Sequence, residues 1–296
     1  MCAVPDSVNC RFEDQNITAW RHAIPPDVAD RAIIDGSALP EMNLTINHED
    51  RVLTIEQAGG HRAVSLYSRE AFELISREWV CIGWSLRYYH TFTWFGRPVL
   101  QLPEDLVRLQ EVVYSIRPDV ILETGVFDGG SLLFHASLCE AMNHGRVIGI
   151  DREIRAGVRE ALRNHPLGGR IEIVEGDSVA PETVERVRAM GRTNETALVI
   201  LDSNHTRAHV AAELEAYSPL VTPGSCIVAA DGIMRDLFDV PGGETEWAHD
   251  HPAAAAREFL ARHPEFEMRQ PAWQVNTSPL TQNVTYWPDG WLWRIA

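Results

Sequence analysis

Short runs of apolar residues recur in the second part of the chain, and most of them end in an acidic residue. They read VILE, RVIGID, IEIVEGD, ALVILD and CIVAAD, and stretches that suit helices separate them. Near-continuous apolar strands are typical of parallel strands that helices cover on both faces. The pattern predicts an α/β fold, Rossmann-like and doubly wound, with a mostly parallel sheet. The acids fall at the carboxyl ends of the strands, where such sheets bind ligands.

Helical spacing and turn residues predict the remaining elements of this region. Apolar positions in PEDLVRLQEVVYSIR recur every three or four residues, which predicts a helix that starts at or near Pro103. Two further helices are predicted over 206–217 and 253–262. The tail, 265–296, has the pattern of two strands joined around the Pro-Asp-Gly turn at 288–290.

The N-terminal part has weaker signals. The stretch VLTIEQAGGHRAVSLYS predicts a hairpin that turns at Gly59-Gly60, and Phe72, Ile75 and Trp79 suit one face of a helix.

An aromatic-rich segment follows that helix. Its side chains form part of a core, or they cover a substrate, because they combine flat apolar faces with polar groups. Five residues carry this prediction: Tyr88, Tyr89, His90, Trp94 and Phe95. We therefore divide the chain into an N-terminal extension with a lid-like aromatic segment, residues 1–83, and a ligand-binding domain, residues 84–296.

Composition narrows the range of partners. The 296 residues are 45% hydrophobic, enough for a full α/β core, and carry a formal net charge of -16 with a pI of about 5.1. That charge disfavours nucleic acid and anionic membranes. No apolar run approaches the roughly 20 residues that span a bilayer, and a cytoplasmic location is predicted. The chain contains no lysine, which excludes Schiff-base chemistry.

A glycine-rich turn, TGVFDGGS, joins the first of the buried strands to a helix. Such a turn lets a ligand approach the backbone closely, and Gly125 and Asp128 belong to it. The spacing G-x-x-x-G-G differs from the G-x-G-x-x-G that binds a pyrophosphate, and the lysine of a P-loop is missing. NAD, FAD and ATP are therefore disfavoured. A nucleoside without phosphate, S-adenosylmethionine, fits better.

The acids and hydroxyls around this turn match the polar groups of S-adenosylmethionine. Glu123 and Ser131 lie where its amino-acid end is expected. Asp151, one half-unit further on, is expected to accept hydrogen bonds from the ribose hydroxyls. Asp177 and Ser178, after the third strand, are expected to hold the adenine amino group. Each acid taken alone is more often a solvated loop residue, so the prediction depends on their order along the chain.

The next two strand ends predict the chemistry. Asp202 and Asp231 are expected on one rim of the sheet, where a hard divalent cation such as Mg²⁺ takes oxygen ligands and where Asn204 would supply a third. Methyl transfer to a hydroxyl needs a base, a metal or both. His205 is the candidate base, and it acts with Asp202. The structural alternatives are that His205 only caps the next helix and that Asp231 only caps a turn.

At these residues the chain resembles the cephalosporin hydroxylase family, which includes rhamnosyl and other O-methyltransferases of natural-product biosynthesis. The matching stretches are TFTWFGRPVLQLPED, ILETGVFDGGSLLFHASL, VIGIDREIR and LDSNHTRAHVAAELEAYSPLVTPGS, with PDGWLWR less close. The resemblance implies a methyl donor held by the loop 123–131, with Mg²⁺ on Asp202 and on an acidic pair after the fifth strand. Ala230 stands where similar proteins carry the first acid of that pair. The resemblance also implies a homo-oligomer.

Together these observations predict an S-adenosylmethionine-dependent O-methyltransferase that acts on a sugar hydroxyl of a natural product. Three alternatives stay open. The first is methyl transfer to nitrogen or carbon of a small molecule. The second is an NAD-dependent oxidoreductase on a similar sheet, which the loop spacing disfavours. The third is a noncatalytic small-molecule binding module, which Ala230 would permit by weakening the metal site.

Overall fold

The computed structural model describes residues 42–192 and 194–296 of the chain. Contacts divide the chain into two compact units, residues 1–63 and 64–296. Much of the predicted N-terminal extension, residues 1–41, lies outside the described residues.

The first unit contains most of a small three-stranded sheet with the order β1-β2-β3. Its strands are β1 Asn43–Asn47, β2 Val52–Gln57 and β3 Gly60–Ser65, the last of which ends two residues beyond the boundary between the units. Strands β2 and β3 are joined through Gly59, whose φ of 111° is accessible to glycine and strained for other residues. The predicted hairpin is confirmed.

The second unit alternates strands and helices. Its helices are α1 Arg69–Ser85, α2 Pro103–Ile116, α3 Gly130–Ala141, α4 Val158–Asn164, α5 Pro181–Met190, α6 Arg207–Tyr217 and α7 Pro252–Leu260. Its strands are β4 Thr93–Trp94, β5 Arg97–Pro98, β6 Val120–Thr124, β7 Arg146–Asp151, β8 Ile171–Glu175, β9 Ala197–Leu201, β10 Cys226–Ala229, β11 Phe266–Met268 and β12 Trp291–Arg294. The helices predicted at Pro103, over 206–217 and over 253–262 are confirmed to within two residues.

Seven strands form the main sheet in the order β8-β7-β6-β9-β10-β12-β11. Strands β6 to β10 run parallel, and β12 is antiparallel to both of its neighbours. The chain winds outward from β6 on one side through β7 and β8, and on the other through β9 and β10. The predicted doubly wound sheet is confirmed, and its winding reverses between β6 and β9, where such sheets bind ligands.

Side chains of the central strands alternate between two cores. Ile121 and Ile200 pack with residues of α2 and α3, whereas Leu122 and Val199 pack with residues of α5, α6 and α7. Every residue of β6 and β9 is buried. Because helices cover both faces, these strands appear in the sequence as continuous apolar runs.

Helix α1 forms where it was predicted but presents a different face to the core. The helix buries Ala71, Val80 and Gly83, while Phe72 and Trp79 are 41% and 40% exposed. Small side chains let a helix approach its neighbours closely, and a Cβ on Gly83 would already lie 3.6 Å from the Tyr286 hydroxyl. The predicted helix is confirmed, but of the three apolar positions that suggested it only Ile75 is half-buried, and the other two are exposed.

The tail contains the two predicted strands, but they are not joined by a turn at 288–290. The connection between β11 and β12 is the whole segment 269–290, and the turn at Gly290 leads directly into β12. The segment contacts α2 through Asp105, which accepts hydrogen bonds from the Thr285 hydroxyl and the Tyr286 amide. None of the helices in the described residues is long and apolar enough to cross a membrane.

Candidate active site

The carboxyl ends of β6 to β10 open onto one cavity of about 630 Å³. Most of the residues singled out from the sequence line it: Gly125, Ser131, Asp151, Asp177, Ser178, Asp202, Asn204, His205 and Asp231. These residues come from five separate strand ends, and the parallel order of the sheet brings them to one edge. Glu123 and Asp128 are not in the wall.

The glycine turn is held against the strand ends beside it. Gly125 has a φ of 93°, and its amide donates to the Ile150 carbonyl oxygen at 2.7 Å. A Cβ at Gly125 would lie 2.1 Å from the Asp202 carbonyl oxygen. A Cβ at Gly130 would lie 2.0 Å from the Pro98 carbonyl oxygen. These two glycines are needed because the backbone passes too close for any side chain.

Asp151 shapes this turn as well as facing the cavity. Its Oδ2 accepts hydrogen bonds from the Val126 amide at 2.8 Å and the Phe127 amide at 3.1 Å, and its Oδ1 accepts from the Glu153 amide at 3.2 Å. The sequence predicted only a role toward the ligand. The structure adds that the same carboxylate fixes the turn.

Glu123 and Asp128 lie behind or beside the cavity wall. Glu123 is 1% exposed, and its Oε2 lies 3.6 Å from Nε2 of the equally buried His135. Asp128 forms ion pairs with Arg155 at 3.4 Å and with Arg97 at 3.9 Å. Since β6 alternates its side chains, Glu123 points toward α3 rather than into the cavity. The structure does not bring either carboxylate to the position expected for direct ligand contact.

Ser178 belongs to a hydrogen-bonded group at the β8 end of the cavity. Its hydroxyl lies 3.0 Å from Nε2 of His209, which in turn is 3.4 Å from Oε1 of the buried Glu213. The bond to Glu213 raises the pKa of His209. Sequence reasoning missed His209, although it lies four residues before Glu213 on α6, a spacing that puts both on one helix face.

Asp202, His205 and Asp231 form the central cluster of the site. One potential ligand atom of each lies within 4.8 Å of the other two, and Nε2 of His205 is 3.5 Å from Oδ2 of Asp231. Asp202 also accepts a hydrogen bond from Nε2 of Gln101 at 2.7 Å. The sequence predicted that the two aspartates share a rim, and the structure brings them together.

Asp202 differs from its acidic neighbours in having no histidine partner at ion-pair distance among the described residues. Glu123, Glu213 and Asp231 each have a histidine ring nitrogen within 3.6 Å. Across 42–192 and 194–296, Asp202 makes no ion pair. Burial raises the pKa of Asp202 well above its ordinary value, and the charges of Asp231, Glu123 and Glu213 raise it further. Burial also raises the pKa of Asp231, against the opposing effect of His205. Both shifts disfavour the ionised carboxylates, an effect that a cation bound between Asp202 and Asp231 would offset.

Two nearby residues affect how a cation would be held. The amide oxygen of Asn204 already accepts hydrogen bonds from the Thr206 amide at 2.9 Å and the Thr206 hydroxyl at 2.8 Å. Ala229 pairs with Leu201, so Ala230 comes opposite Asp202 and is fully buried. The methyl group of Ala230 thus occupies a position from which an acidic side chain would reach Asp202.

Aromatic side chains also line the cavity, and we call them its aromatic wall. Tyr89 and His90 come from the predicted aromatic segment, while Tyr88, Trp94 and Phe95 of that segment do not line the cavity. Trp84 and Trp247 also line it, and their rings pack edge to face with their centroids 5.2 Å apart. Trp247 was not predicted, because it lies in a short turn, 245–248, with no periodic pattern around it.

A model of the rhamnosyl O-methyltransferase/CmcI family matches residues 86–295. The chain therefore belongs to this family, and the resemblance inferred from the sequence motifs is confirmed.

Individual relatives are more distant. A rhamnosyl O-methyltransferase of Mycobacterium leprae is 28% identical over 152 residues, covering 50% of this chain and 63% of that protein. Its namesake in Mycobacterium tuberculosis is 25% identical over 162 residues, covering 52% and 64%. The matched part of this chain thus spans less than two thirds of these relatives.

Two solved structures are similar to part of the chain. A structure of CmcI with Mg and SAM has a TM-score of 0.46 at 20% identity, covering 70% of this chain and 78% of that one. A structure of MycE, a methyltransferase from the mycinamycin biosynthetic pathway, in complex with Mg, SAH and mycinamycin VI, has a TM-score of 0.38 at 23% identity, covering 51% and 40%.

Proposed function

We propose that the protein is an S-adenosylmethionine-dependent O-methyltransferase that methylates a hydroxyl of a small glycosylated acceptor. One observation carries the proposal. The glycine turn after β6 and the cluster of Asp202, His205 and Asp231 open onto the same cavity, so a bound donor and a deprotonating group would be neighbours. Membership of the rhamnosyl O-methyltransferase/CmcI family supports the same activity.

The donor would occupy the side of the cavity between the glycine turn and β8. Asp151 and Ser131 supply polar atoms at the near end, and Asp177 and Ser178 supply them at the far end. The glycine turn has neither the pyrophosphate spacing nor a lysine, which favours a nucleoside without phosphates.

The cluster also suits a divalent cation. Asp202 and Asp231 would hold it, since carboxylate oxygens are the preferred ligands of Mg²⁺ and Asp202 lacks a cationic partner in the described residues. Asn204 would join them only by giving up hydrogen bonds to Thr206. When bound, such a cation makes an acceptor hydroxyl more acidic.

His205 is the proposed proton acceptor. Its ring lines the cavity, and Asp231 at 3.5 Å would stabilise the imidazolium. The acceptor oxygen forms a bond to the methyl carbon as the carbon–sulfur bond of the donor breaks, and the hydroxyl proton passes to His205. The remaining role of the protein is alignment of the two reactants, which lowers the entropic part of the barrier.

The aromatic wall is the proposed acceptor side. Trp84, Tyr89 and Trp247 offer flat apolar faces with few charges, which suits an uncharged molecule with an apolar face, as a sugar ring has. The names of the relatives, rhamnosyl O-methyltransferase, agree with a sugar hydroxyl. A cytoplasmic location and a homo-oligomer stay predictions.

The donor assignment is tested by calorimetry with S-adenosylhomocysteine and with NAD. We expect the first to bind and the second not to bind. Gly125→Ala should weaken S-adenosylhomocysteine binding at least about tenfold, or 1.4 kcal/mol, because its Cβ would overlap the Asp202 carbonyl. Gly169→Ala is the matched control, since a Cβ there meets nothing within 4 Å. Binding of NAD alone would contradict the proposal.

The reaction is tested with isotopically labelled methyl donor, a panel of glycosides and product mass spectrometry. We expect the label on an acceptor oxygen. Transfer to nitrogen or carbon, or donor binding without turnover on any acceptor, would replace the proposed activity by one of the alternatives from the sequence.

A further inference from the structure

Gln101 makes a buried contact with the central cluster that the proposed mechanism does not use. The residue is 5% exposed, and its Nε2 donates to Oδ2 of Asp202 at 2.7 Å. It lies 101 positions before Asp202 in the sequence, in the segment that connects β5 to α2. A buried amide with this contact fixes one carboxylate oxygen and therefore the orientation of the whole group.

The Gln101 amide is an uncharged donor, and this matters beside Asp202. Each of the three acids around Asp202 has a histidine neighbour, and Asp202 has only the Gln101 amide in the described residues. An amide donates a hydrogen bond but adds no charge. Gln101 thus orients the Asp202 carboxylate without pairing its charge, which leaves the group open to a cation. An arginine in the same place would pair with Asp202 and take the position of a bound cation.

The backbone around Gln101 is anchored at both ends. At one end, Nε of Arg97 donates to the Asp128 carbonyl oxygen at 2.6 Å, and the Pro98 carbonyl packs directly on Gly130. At the other end, Leu102 is fully buried at the start of α2. Between them, Leu100 has a φ of 52°, in the left-handed region. This arrangement holds the amide in place before any ligand arrives.

We propose that Gln101 is a positioning residue that orients Asp202 for a divalent cation, a role that rests on the proposed function. Residues that hydrogen-bond to a metal ligand typically change metal affinity 10- to 100-fold when they are replaced. Removing the amide donor should therefore weaken cation binding without changing the ligand atoms themselves.

The test measures Mn²⁺ binding to the full chain by electron paramagnetic resonance, which counts free Mn²⁺, with no donor or acceptor present. Gln101→Met keeps the side-chain length and removes the donor, and Gln101→Asn keeps an amide that is too short to reach. We expect both to bind Mn²⁺ roughly 10- to 100-fold more weakly than the natural chain. Gln110→Met, a half-buried glutamine on α2, is the control and should leave affinity unchanged.

Two further measurements separate this role from a structural one and from the proposed function itself. S-adenosylhomocysteine calorimetry should be unchanged in Gln101→Asn, and its thermal unfolding should stay a single cooperative transition, at a lower midpoint because a buried hydrogen bond is lost. Mass-spectrometric methyl transfer by the natural chain tests the activity independently. Mn²⁺ affinity that is lost in Asp202→Asn but retained in both Gln101 variants would overturn the inference. So would an absence of Mn²⁺ binding to the natural chain, even if methyl transfer is observed.

Discussion

Two acidic side chains with raised pKa values, the buried Asp105 and the half-buried Asp202, show how differently one fold treats the same chemical group. Asp105 is 1% exposed between α2 and the tail, where the Thr285 hydroxyl and the Tyr286 amide donate to it. Asp202 lies on the cavity wall among three other carboxylates, with one amide donor. Burial raises the pKa of both.

The two carboxyl groups differ in how far their neighbours compensate them. Two donors satisfy Asp105, and it joins α2 to the tail. Asp202 has a raised pKa partly because of Asp231, Glu123 and Glu213, an arrangement that a protein retains at a cost in stability when a bound cation or substrate relieves it. A buried acid is therefore a functional candidate when its neighbours repel it, and a structural one when they satisfy it.

Replacing Asp202 should affect activity far more than stability. Asp202→Asn should lower kcat/KM by about 10³-fold, the several kcal/mol that a metal-binding carboxylate contributes. The same change should leave the free energy of unfolding equal or about 1 kcal/mol higher, because it removes a repelled charge. Initial rates and urea denaturation measure the two quantities. Asp239→Asn, at an exposed position, is the control, and a large loss of stability in Asp202→Asn would contradict the comparison.

The next effect concerns the base beside Asp202. His205→Ala should lower kcat by about 10²-fold, at the lower end of the range for general bases, because a cation would still acidify the hydroxyl. Steady-state rates with saturating donor measure it, and His48→Ala, in an exposed turn, is the control. Full activity together with a fall in the free energy of unfolding would instead assign His205 the helix-capping role.

The last prediction concerns the pH dependence of stability at Asp105, the structural member of the pair. Its pKa rises from 3.8 to about 7 in the folded chain, so its contribution is complete below 3.8 and is lost as the pH rises toward 7. Over that interval the stability of the natural chain, relative to Asp105→Asn, should fall by up to about 1.4 kcal/mol per pH unit.

Denaturation of both proteins at pH 5, 6, 7 and 8 measures this difference, in which groups common to both cancel. We expect Asp105→Asn to be at least as stable as the natural chain at pH 8. A difference that does not vary with pH would show that Asp105 keeps one protonation state across the range.

Most of the fold was predictable because its signals are local. The buried strands appear as apolar runs, and Pro103 marks the start of α2 in the sequence. The face that α1 buries was not predictable, since Ala71 and Gly83 pack inward only because neighbouring segments approach them closely. The connection 269–290 has no periodic pattern, so its course along α2 could not be read from the sequence.

The candidate site likewise contains residues that the sequence could predict and residues that it could not. Residues at strand ends, such as Asp151, Asp202 and Asp231, could be predicted, because parallel strands necessarily bring their carboxyl ends to one edge. Trp247 reaches the cavity from a segment without a periodic pattern, and Gln101 lies in a stretch that resembles the family but shows no sign in the sequence of its contact with Asp202. Glu123 was expected at the ligand, but its place in the strand turns it toward His135.

By itself, the sequence determined the order of strands and helices, the glycine turn and the acids that end the strands, since each depends on residues close together in the chain. The tertiary structure alone decided which carboxylates have partners. Asp105 and Thr285 meet across 180 positions, and Gln101 and Asp202 across 101. Whether a buried charge is satisfied depends on such distant contacts, because the energy of a charge is set by every group packed around it.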